Sequence, residues 1–331
     1  MKFEVAMLFY FFKKEKHILN FKHAKIIYII MEIFNKLLKI CETKQNVNLK
    51  TLCTIKIGGT ANYVCYPKNC KEVTQLVRFL NKNKILYYVI GNGSNIIFED
   101  AGFNGVIISL KNMHGFKIGK NKITAESGLN LFALNFLCLE HELAGFEWSY
   151  GIPATVGGAI FMNAGAYGKE IKDFVKYVWV LKQGKVKKIK CKHMGFGYRT
   201  SRVQGTKDII LKASFVLQKG ESEDIMQKQK QIFAYRKCCQ PYNSLNAGSI
   251  FKKMNGESVG KTIDKLGLKS VKMGNIQISE LHANFFINLG NGTSEDVHNL
   301  IDFVKSIVLE RTGNLLEEEI IFVGNKKGKI W

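Results

Sequence analysis

Residues 151 to 168 read GIPATVGGAIFMNAGAYG, with five glycines and one of the chain's three prolines in eighteen positions and no acidic or basic side chain. With so little side chain, backbone amides are what this stretch offers a ligand. Glycine permits positive φ and close approach of the main chain, and successive N–H groups in such turns form nests that suit phosphate oxygens. A cofactor carrying a pyrophosphate fits this chemistry; a loop that merely turns a corner is the plainer alternative. A second glycine loop lies about sixty residues upstream. There ILYYVI at 85–90 is a buried-strand run ending at Gly91, Asn92, Gly93, Ser94 and Asn95, and IIF and VIIS follow as strands around a turn from Asp100 to Gly105. No third glycine opens a helix, so this is not the Rossmann fingerprint, and the Walker pattern is absent. Two such loops, each held by strands, would clasp one elongated phosphate ligand from two sides.

Outward from these loops the texture is mixed. TLCTIKIGGTANYVCYP alternates apolar residues around Gly58-Gly59, which reads as strand, turn and strand, and Pro67 leads into a helix with Val73, Leu76, Val77 and Leu80 on one face. Between 121 and 218, short strands (KITAES, VKYVWVL, KVKKIKC, IILKASFVL) surround a helix from Leu129 to His141, and another helix runs through about Tyr235. A third unit carries NAGS at 246–249, SELHANFFIN at 279–288 and an amphipathic helix from Ser294 to Arg311, with a capping box at Thr293 and Asp296 and a terminating Gly313. Finally LLEEEIIFVG leads three carboxylates into a strand, where alternation sends Glu317 and Glu319 to one face and Glu318 to the other. On spacing alone such a run reads as solvated.

The chain has 331 residues, 46% of them hydrophobic, enough for a real core and two or three domains. A net charge of +22 should attract anions: nucleotides, nucleic acid or acidic lipid. The lysines are dispersed in short pairs (Lys13-Lys14, Lys187-Lys188, Lys326-Lys327) and form no aromatic-interleaved basic stripe along the chain, and no zinc-finger or RNP pattern is present. Obligate nucleic-acid binding is therefore not expected. The cysteines at 41, 53, 65, 70, 138, 191, 238 and 239 lack any Cys-x-x-Cys pair, which fits reduced thiols in a cytoplasm. No His or Cys cluster has metal-ligand spacing, so no metal is expected. The apolar run Val5 to Phe12 is far short of the ~20 residues that span a bilayer, and no cleavage site follows it. Positions 26, 27, 30, 34, 37 and 38 repeat apolar residues at helical spacing, so residues 1–47 read as an appended arm; a translation start at Met31 is the alternative, and a membrane-surface role a third reading.

Taken in order, IKIGGTANY, GNGSNIIFEDAGFNGVII, GFEWSYGIPATVGGAIFMNAGAYG, FGYRTS, NAGSIFK, SELHANFFIN and LLEEEIIFVG resemble the UDP-N-acetylenolpyruvoylglucosamine reductases, flavoenzymes of peptidoglycan precursor synthesis, over about residues 48 to 324. GAYG and HANF resemble the shorter, type II branch. The resemblance implies an α+β protein with the FAD-binding fold of the vanillyl-alcohol oxidase type in two subdomains, plus a C-terminal α+β substrate-binding domain. On this sequence that gives an N-terminal arm, helical or partly disordered, over 1–47, FAD-binding subdomains over 48–120 and 121–220, and a substrate domain over 221–331. It further implies FAD as cofactor, NADPH as co-substrate and UDP-N-acetylglucosamine enolpyruvate as substrate, with NADPH reducing FAD and leaving before the sugar nucleotide is reduced to UDP-N-acetylmuramate. Protein partners are left open, and no membrane span is expected.

Carried over residue by residue, the family's catalytic positions are Arg199, Ser249 and Glu319. Arg199 offers a guanidinium fork to the substrate carboxylate and the developing enolate, Ser249 a proton to C2, and Glu319 support if it is protonated or linked through hydrogen bonds. Seen alone, each reads as a surface ion-pair partner, a turn residue and a solvated strand end. The cofactor contacts implied are Gly91, Asn92, Gly93, Ser94 and Asn95 together with Ala154, Thr155, Val156, Gly157 and Gly158 around the pyrophosphate, and Asn163, Ala164 and Gly165 close by. His282 reads as a hydrogen-bonded structural histidine. Departures from the family pattern are Ala154 for a glycine, tolerable only with negative φ, Lys253 and Met254 for Asn-Pro, Ser270 for a glycine after LGLK, and Cys239 and Leu245. Two other readings remain open here: a flavin oxidase of the same fold, and a non-catalytic basic binding protein.

Overall fold

The computed structural model describes residues 21–325, with side chains from 28 onward. The Val5 to Phe12 run and the Lys326-Lys327 pair lie outside them.

Helix α1 (Phe21–Leu38) lays its C-terminal half on the first unit: Leu37 is fully buried, and Phe34 stacks on Tyr63 at 6.1 Å. The chain then forms β1 (Glu42–Asn48), β2 (Thr60–Tyr66), α2 (Cys70–Lys82), β3 (Tyr87–Ile90), β4 (Ile96–Phe98) and β5 (Phe103–Ser109). The sheet order is β1-β2-β5-β3, antiparallel at β1 and parallel elsewhere. Strand β1 crosses the expected boundary at 47/48. Its sequence, ETKQNVN, has no apolar alternation, and it is a strand because its register pairs it with β2 from Glu42↔Tyr66 to Asn48↔Thr60. Gly58-Gly59 is likewise no hairpin. Residues 49–52 form a 3-10 turn, and the glycines mark a close crossing: β-carbons on Gly58 and Gly59 would lie 2.5 Å from Phe98 Cβ and 2.2 Å from the Asp100 carbonyl. The alternation in 53–57 instead buries Cys53, Ile55 and Ile57 in the core.

The second unit holds β6 (Phe116–Gly119), β7 (Lys122–Glu126), α3 (Leu131–Glu140), α4 (Val156–Phe161), β8 (Val175–Lys182), β9 (Lys185–Lys190) and β10 (Ile209–Val216). Its five strands are antiparallel in the order β9-β8-β10-β7-β6. Helix α5 (Ser222–Cys239) packs back on this unit, Gln229 donating to the Asn135 carbonyl and Arg236 to those of Tyr150 and Trp148. The expected boundary at 220/221 therefore cuts off a helix that belongs, by packing, to the second unit.

Beyond it lie β11 (Leu245–Ser249), α6 (Val259–Lys265), β12 (Lys272–Met273), β13 (Ile276–Ile278), β14 (Phe285–Asn288), α7 (Ser294–Thr312) and β15 (Ile321–Val323). The sheet runs β11-β14-β13-β12, backed by α7, whose Thr293/Asp296 capping box and left-handed Gly313 (φ 69°) form as the sequence predicts. Strand β15 leaves this unit and pairs in parallel with β4 of the first. One hydrophobic core accordingly runs through both, from Ile57, Phe98 and Ile107 to Phe286, Val304 and Val323.

Candidate functional site

Where the three units meet, a cleft of about 730 Å³ is lined by both glycine loops, by Arg199, by Ser244 and 246–249, and by Glu319. The loops touch each other: Asn92 Nδ2 donates to the Pro153 carbonyl at 2.8 Å, and a β-carbon on Gly91 would lie 2.3 Å from Thr155 Oγ1. They are not equivalent as anion cradles. In the second loop the N–H groups of Ala154, Val156 and Gly157 already donate to the Ile152, Leu129 and Ser127 carbonyls, and that of Gly158 to Thr155 Oγ1. In the first loop the N–H groups of Asn92, Gly93, Ser94 and Asn95 make no hydrogen bond among the described residues. An elongated phosphate ligand would take these amides and lie against the small side chains of the second loop, so the site fits a cofactor pyrophosphate.

Gly93 sets the first loop's shape, with φ 68° and its α-carbon so close to Leu52 that a β-carbon would sit 2.1 Å from the carbonyl oxygen. Gly93→Ala should therefore displace the open amides and weaken retention of a pyrophosphate-bearing cofactor roughly tenfold or more, about 1.4 kcal/mol, as read by its release on dilution.

In the same cleft, Arg199 Nε donates to Glu319 Oε1 at 2.7 Å and its Nη2 to the Gly165 carbonyl at 3.1 Å. Arg199 has φ 53°, an unusual conformation for a side chain of its size, held by a local hairpin in which Gln204 Nε2 donates to the Arg199 carbonyl. Its guanidinium lies over the Tyr198 ring. Glu319 is fixed through its backbone: its N–H donates to the Ile250 carbonyl, next to Ser249, and its carbonyl accepts from Asn95 Nδ2 of the first loop. Burial pushes the Glu319 carboxyl above the ordinary glutamate range, against the downward pull of Arg199 and Lys252. Ser249 lines the cleft at the end of β11 after a left-handed Gly248 (φ 76°), and its hydroxyl makes no hydrogen bond among the described residues.

Residues 240–323 match the model of the UDP-N-acetylenolpyruvoylglucosamine reductase C-terminal domain, and residues 61–190 that of an FAD binding domain. A UDP-N-acetylenolpyruvoylglucosamine reductase of Streptococcus pneumoniae (strain JJA) is 37% identical over 301 residues, 90% of this chain and all of the relative. One from Caldanaerobacter subterraneus is 38% identical over 299 residues, again 90% of this chain and 99% of the relative. The chain belongs to the UDP-N-acetylenolpyruvoylglucosamine reductase family. The crystal structure of the Thermus caldophilus reductase agrees, with a TM-score of 0.73 and 30% identity, covering 85% of this chain and 98% of that one.

Of the site residues that the sequence points to, two do not line the cleft. Val156 is fully buried in the core of the second unit. Asn163 is buried as a brace: its Nδ2 donates to Glu170 and to the Gly197 carbonyl, and its Oδ1 accepts from the Lys172 N–H, tying the loop to the Arg199 hairpin. The glutamate run splits three ways, Glu317 pairing with Lys252 and Glu318 with Lys305 while Glu319 alone enters the cleft. Ala154 does not have positive φ, so its β-carbon brings no backbone strain. Ser270 does, at φ 65°, a left-handed conformation that glycine adopts without strain. Lys253 is exposed and lies outside the cleft lining, its N–H donating to Tyr198 Oη.

Sequence reading missed Arg236, which is 6% exposed and lines the cleft with no carboxylate partner among the described residues; burial lowers its pKa. Nothing in the lysine-rich context of α5 marks it out. No group of three metal-ligating side chains occurs among the described residues, and no helix there is long and apolar enough to cross a membrane.

His282 accepts the Asn284 N–H at Nδ1, and burial holds its pKa below the usual value of 6.5. The folded state thus favours neutral histidine, so this stabilisation is complete above pH 6.5 and is lost as pH falls toward the depressed value. His282→Asn, which keeps an acceptor, should narrow the Tm gap to the wild type between pH 7 and 5.

Proposed function

We infer that the protein reduces the enolpyruvyl group of UDP-N-acetylglucosamine enolpyruvate to give UDP-N-acetylmuramate, with NADPH as reductant and FAD held between the glycine loops. The observation that carries this is the convergence of Arg199, Ser249 and Glu319, from three separate segments, on the cleft that both loops line. Bound there, against the open amides of Asn92 to Asn95, FAD would supply the two-electron redox chemistry that links NADPH to the enolpyruvyl ether.

The chain's own residues handle charge and proton. Hydride arriving at C3 drives an electron pair toward C2 and the adjoining carboxylate, and Arg199, fixed at Nε and Nη2, meets that charge with a preorganised cation. Glu319 aims the guanidinium by accepting from Arg199 Nε, while burial pushes its carboxyl above the ordinary glutamate range. Ser249 gives its hydroxyl proton to C2, completing addition of hydride and proton across the double bond. The buried Arg236 and the open amides of the first loop supply fixed positive potential for the nucleotide phosphates. The eight free cysteines support a cytoplasmic setting, and the cleft's position supports two flavin-binding subdomains with a C-terminal substrate unit.

The test is anaerobic rapid-mixing absorbance on the flavin-loaded enzyme. NADPH should bleach the flavin band and UDP-N-acetylglucosamine enolpyruvate should restore it; recovery only on admitting oxygen would sink the reductase reading in favour of an oxidase.

A further inference from the structure

The lysines dispersed along the sequence are gathered by strand register. On the second sheet, Val178, Val180, Ala213, Phe215, Ile123 and Ala125 face the core. Alternation therefore puts their neighbours on the opposite face. One row there runs Lys190, Tyr177, Ser214, Thr124 and Lys117 across all five strands, and the next runs Lys188, Trp179, Lys212 and Glu126. At ~4.8 Å per strand the longer row extends roughly 19 Å.

The two aromatic side chains stand at its centre, half-buried, with ring centroids 6.3 Å apart and planes tilted by 59°. They do not stack on one another, and their π-faces take cations instead. Lys188 Nζ lies 4.1 Å from the Tyr177 centroid and 5.2 Å from that of Trp179, and Lys212 Nζ lies 5.0 Å from the latter. None of Lys117, Lys188, Lys190 and Lys212 forms an ion pair among the described residues. Glu126, the carboxylate in these rows, accepts the Gly115 N–H at 3.0 Å.

We propose that this face binds single-stranded nucleic acid, with bases stacked on Tyr177 and Trp179 and phosphates taken by the lysines around them. The face is not open along its whole length: Ser214, in the longer row, is fully buried, and Leu181, Ile209 and Leu211 at one end pack against helix α2 (Cys70–Lys82). What it presents at Tyr177, Trp179, Lys188 and Lys190 is half-buried aromatic rings flanked by unpaired amines, the two elements such binding combines. An exposed cation–π contact is weaker than a base stacked on an aromatic ring, so the amines can leave the rings for phosphates as bases arrive. A flat anionic membrane would satisfy the lysines but gives the ring faces nothing to stack on, so the paired aromatics favour nucleic acid. The site is separate from the reductase cleft and independent of it.

The test titrates the full chain with oligo(dT) of about fifteen nucleotides while following tryptophan emission. The expected result is saturable quenching that disappears in Trp179→Phe, and a Kd at least tenfold higher in a Lys188→Ala/Lys212→Ala double variant. The slope of log K against log salt should be about −3 for four contacts and shallower by about 1.4 in the double variant. Unchanged reductase activity in both variants shows that they fold. Equal binding by wild type and double variant, equally tight binding of polyphosphate, or lysine-dependent binding of phosphatidylglycerol vesicles without oligonucleotide binding would each overturn the proposal.

Discussion

Ser249→Ala should take up flavin and be bleached by NADPH at the wild-type rate, yet be reoxidised by UDP-N-acetylglucosamine enolpyruvate more slowly by about 10² to 10⁴, the usual range for losing a positioned proton donor. That is roughly 3 to 5 kcal/mol of barrier. The half-reactions separate because the hydroxyl has no structural duty to lose: it makes no hydrogen bond among the described residues, and the turn before it is held by Asn246 and Gly248. Ser249→Cys, which keeps a donor at nearly the same place, should recover part of the rate. Equal slowing of both half-reactions would mean that the substitution disturbs the cleft, and no slowing of the second would remove Ser249 from the proton's path.

Arg199→Ala should slow reduction of the sugar nucleotide by about 10² to 10³, the typical cost of deleting one preorganised charge-stabilising group. Arg199→Lys should not rescue it, since a lysine amine cannot serve Glu319 at Nε and the Gly165 carbonyl at Nη2 together. Loss of the guanidinium also leaves the Glu319 carboxyl buried without its partner, raising its pKa further. The sign for stability follows. A carboxyl whose folded pKa lies above its unfolded value favours folding most when protonated, and that contribution fades as pH rises through the folded pKa. This fading should steepen in Arg199→Ala and be absent in Glu319→Gln, with thermal unfolding across pH as the measurement. A pH slope in Glu319→Gln equal to that of the wild type would show that another group titrates.

What could be read in advance was what lies contiguous in the chain. The glycine loops, the α7 capping box and the β8 to β10 strands announce themselves because local chemistry decides them. Strand β1 did not, because ETKQNVN becomes a strand only through its partner. Helix α5 hid its allegiance, since the face it buries carries Gln229 and Arg236 beside Ile225 and so has little apolar contrast. The cleft shows the same limit. Composition predicts amide-rich loops but not which amides neighbouring carbonyls consume, and that separates the first loop from the second. Three consecutive glutamates with three different partners could not be told apart by spacing, because each fate is set by a cation or cleft far away in sequence.

The parallel pairing of β15 with β4 has a consequence for how the enzyme is made. More than two hundred residues separate the two strands, so at 5–20 residues per second the first unit waits on the ribosome for roughly 10 to 45 s before its partner strand is synthesised. During that time Ile96–Phe98 is an apolar strand with an open edge, the kind of surface that chaperones bind and that nascent chains pair through wrongly. Glu319 is delivered two residues before β15, by the same segment that closes this edge. A stalled or prematurely released chain therefore lacks both the closure of this edge and the carboxylate that lines the cleft.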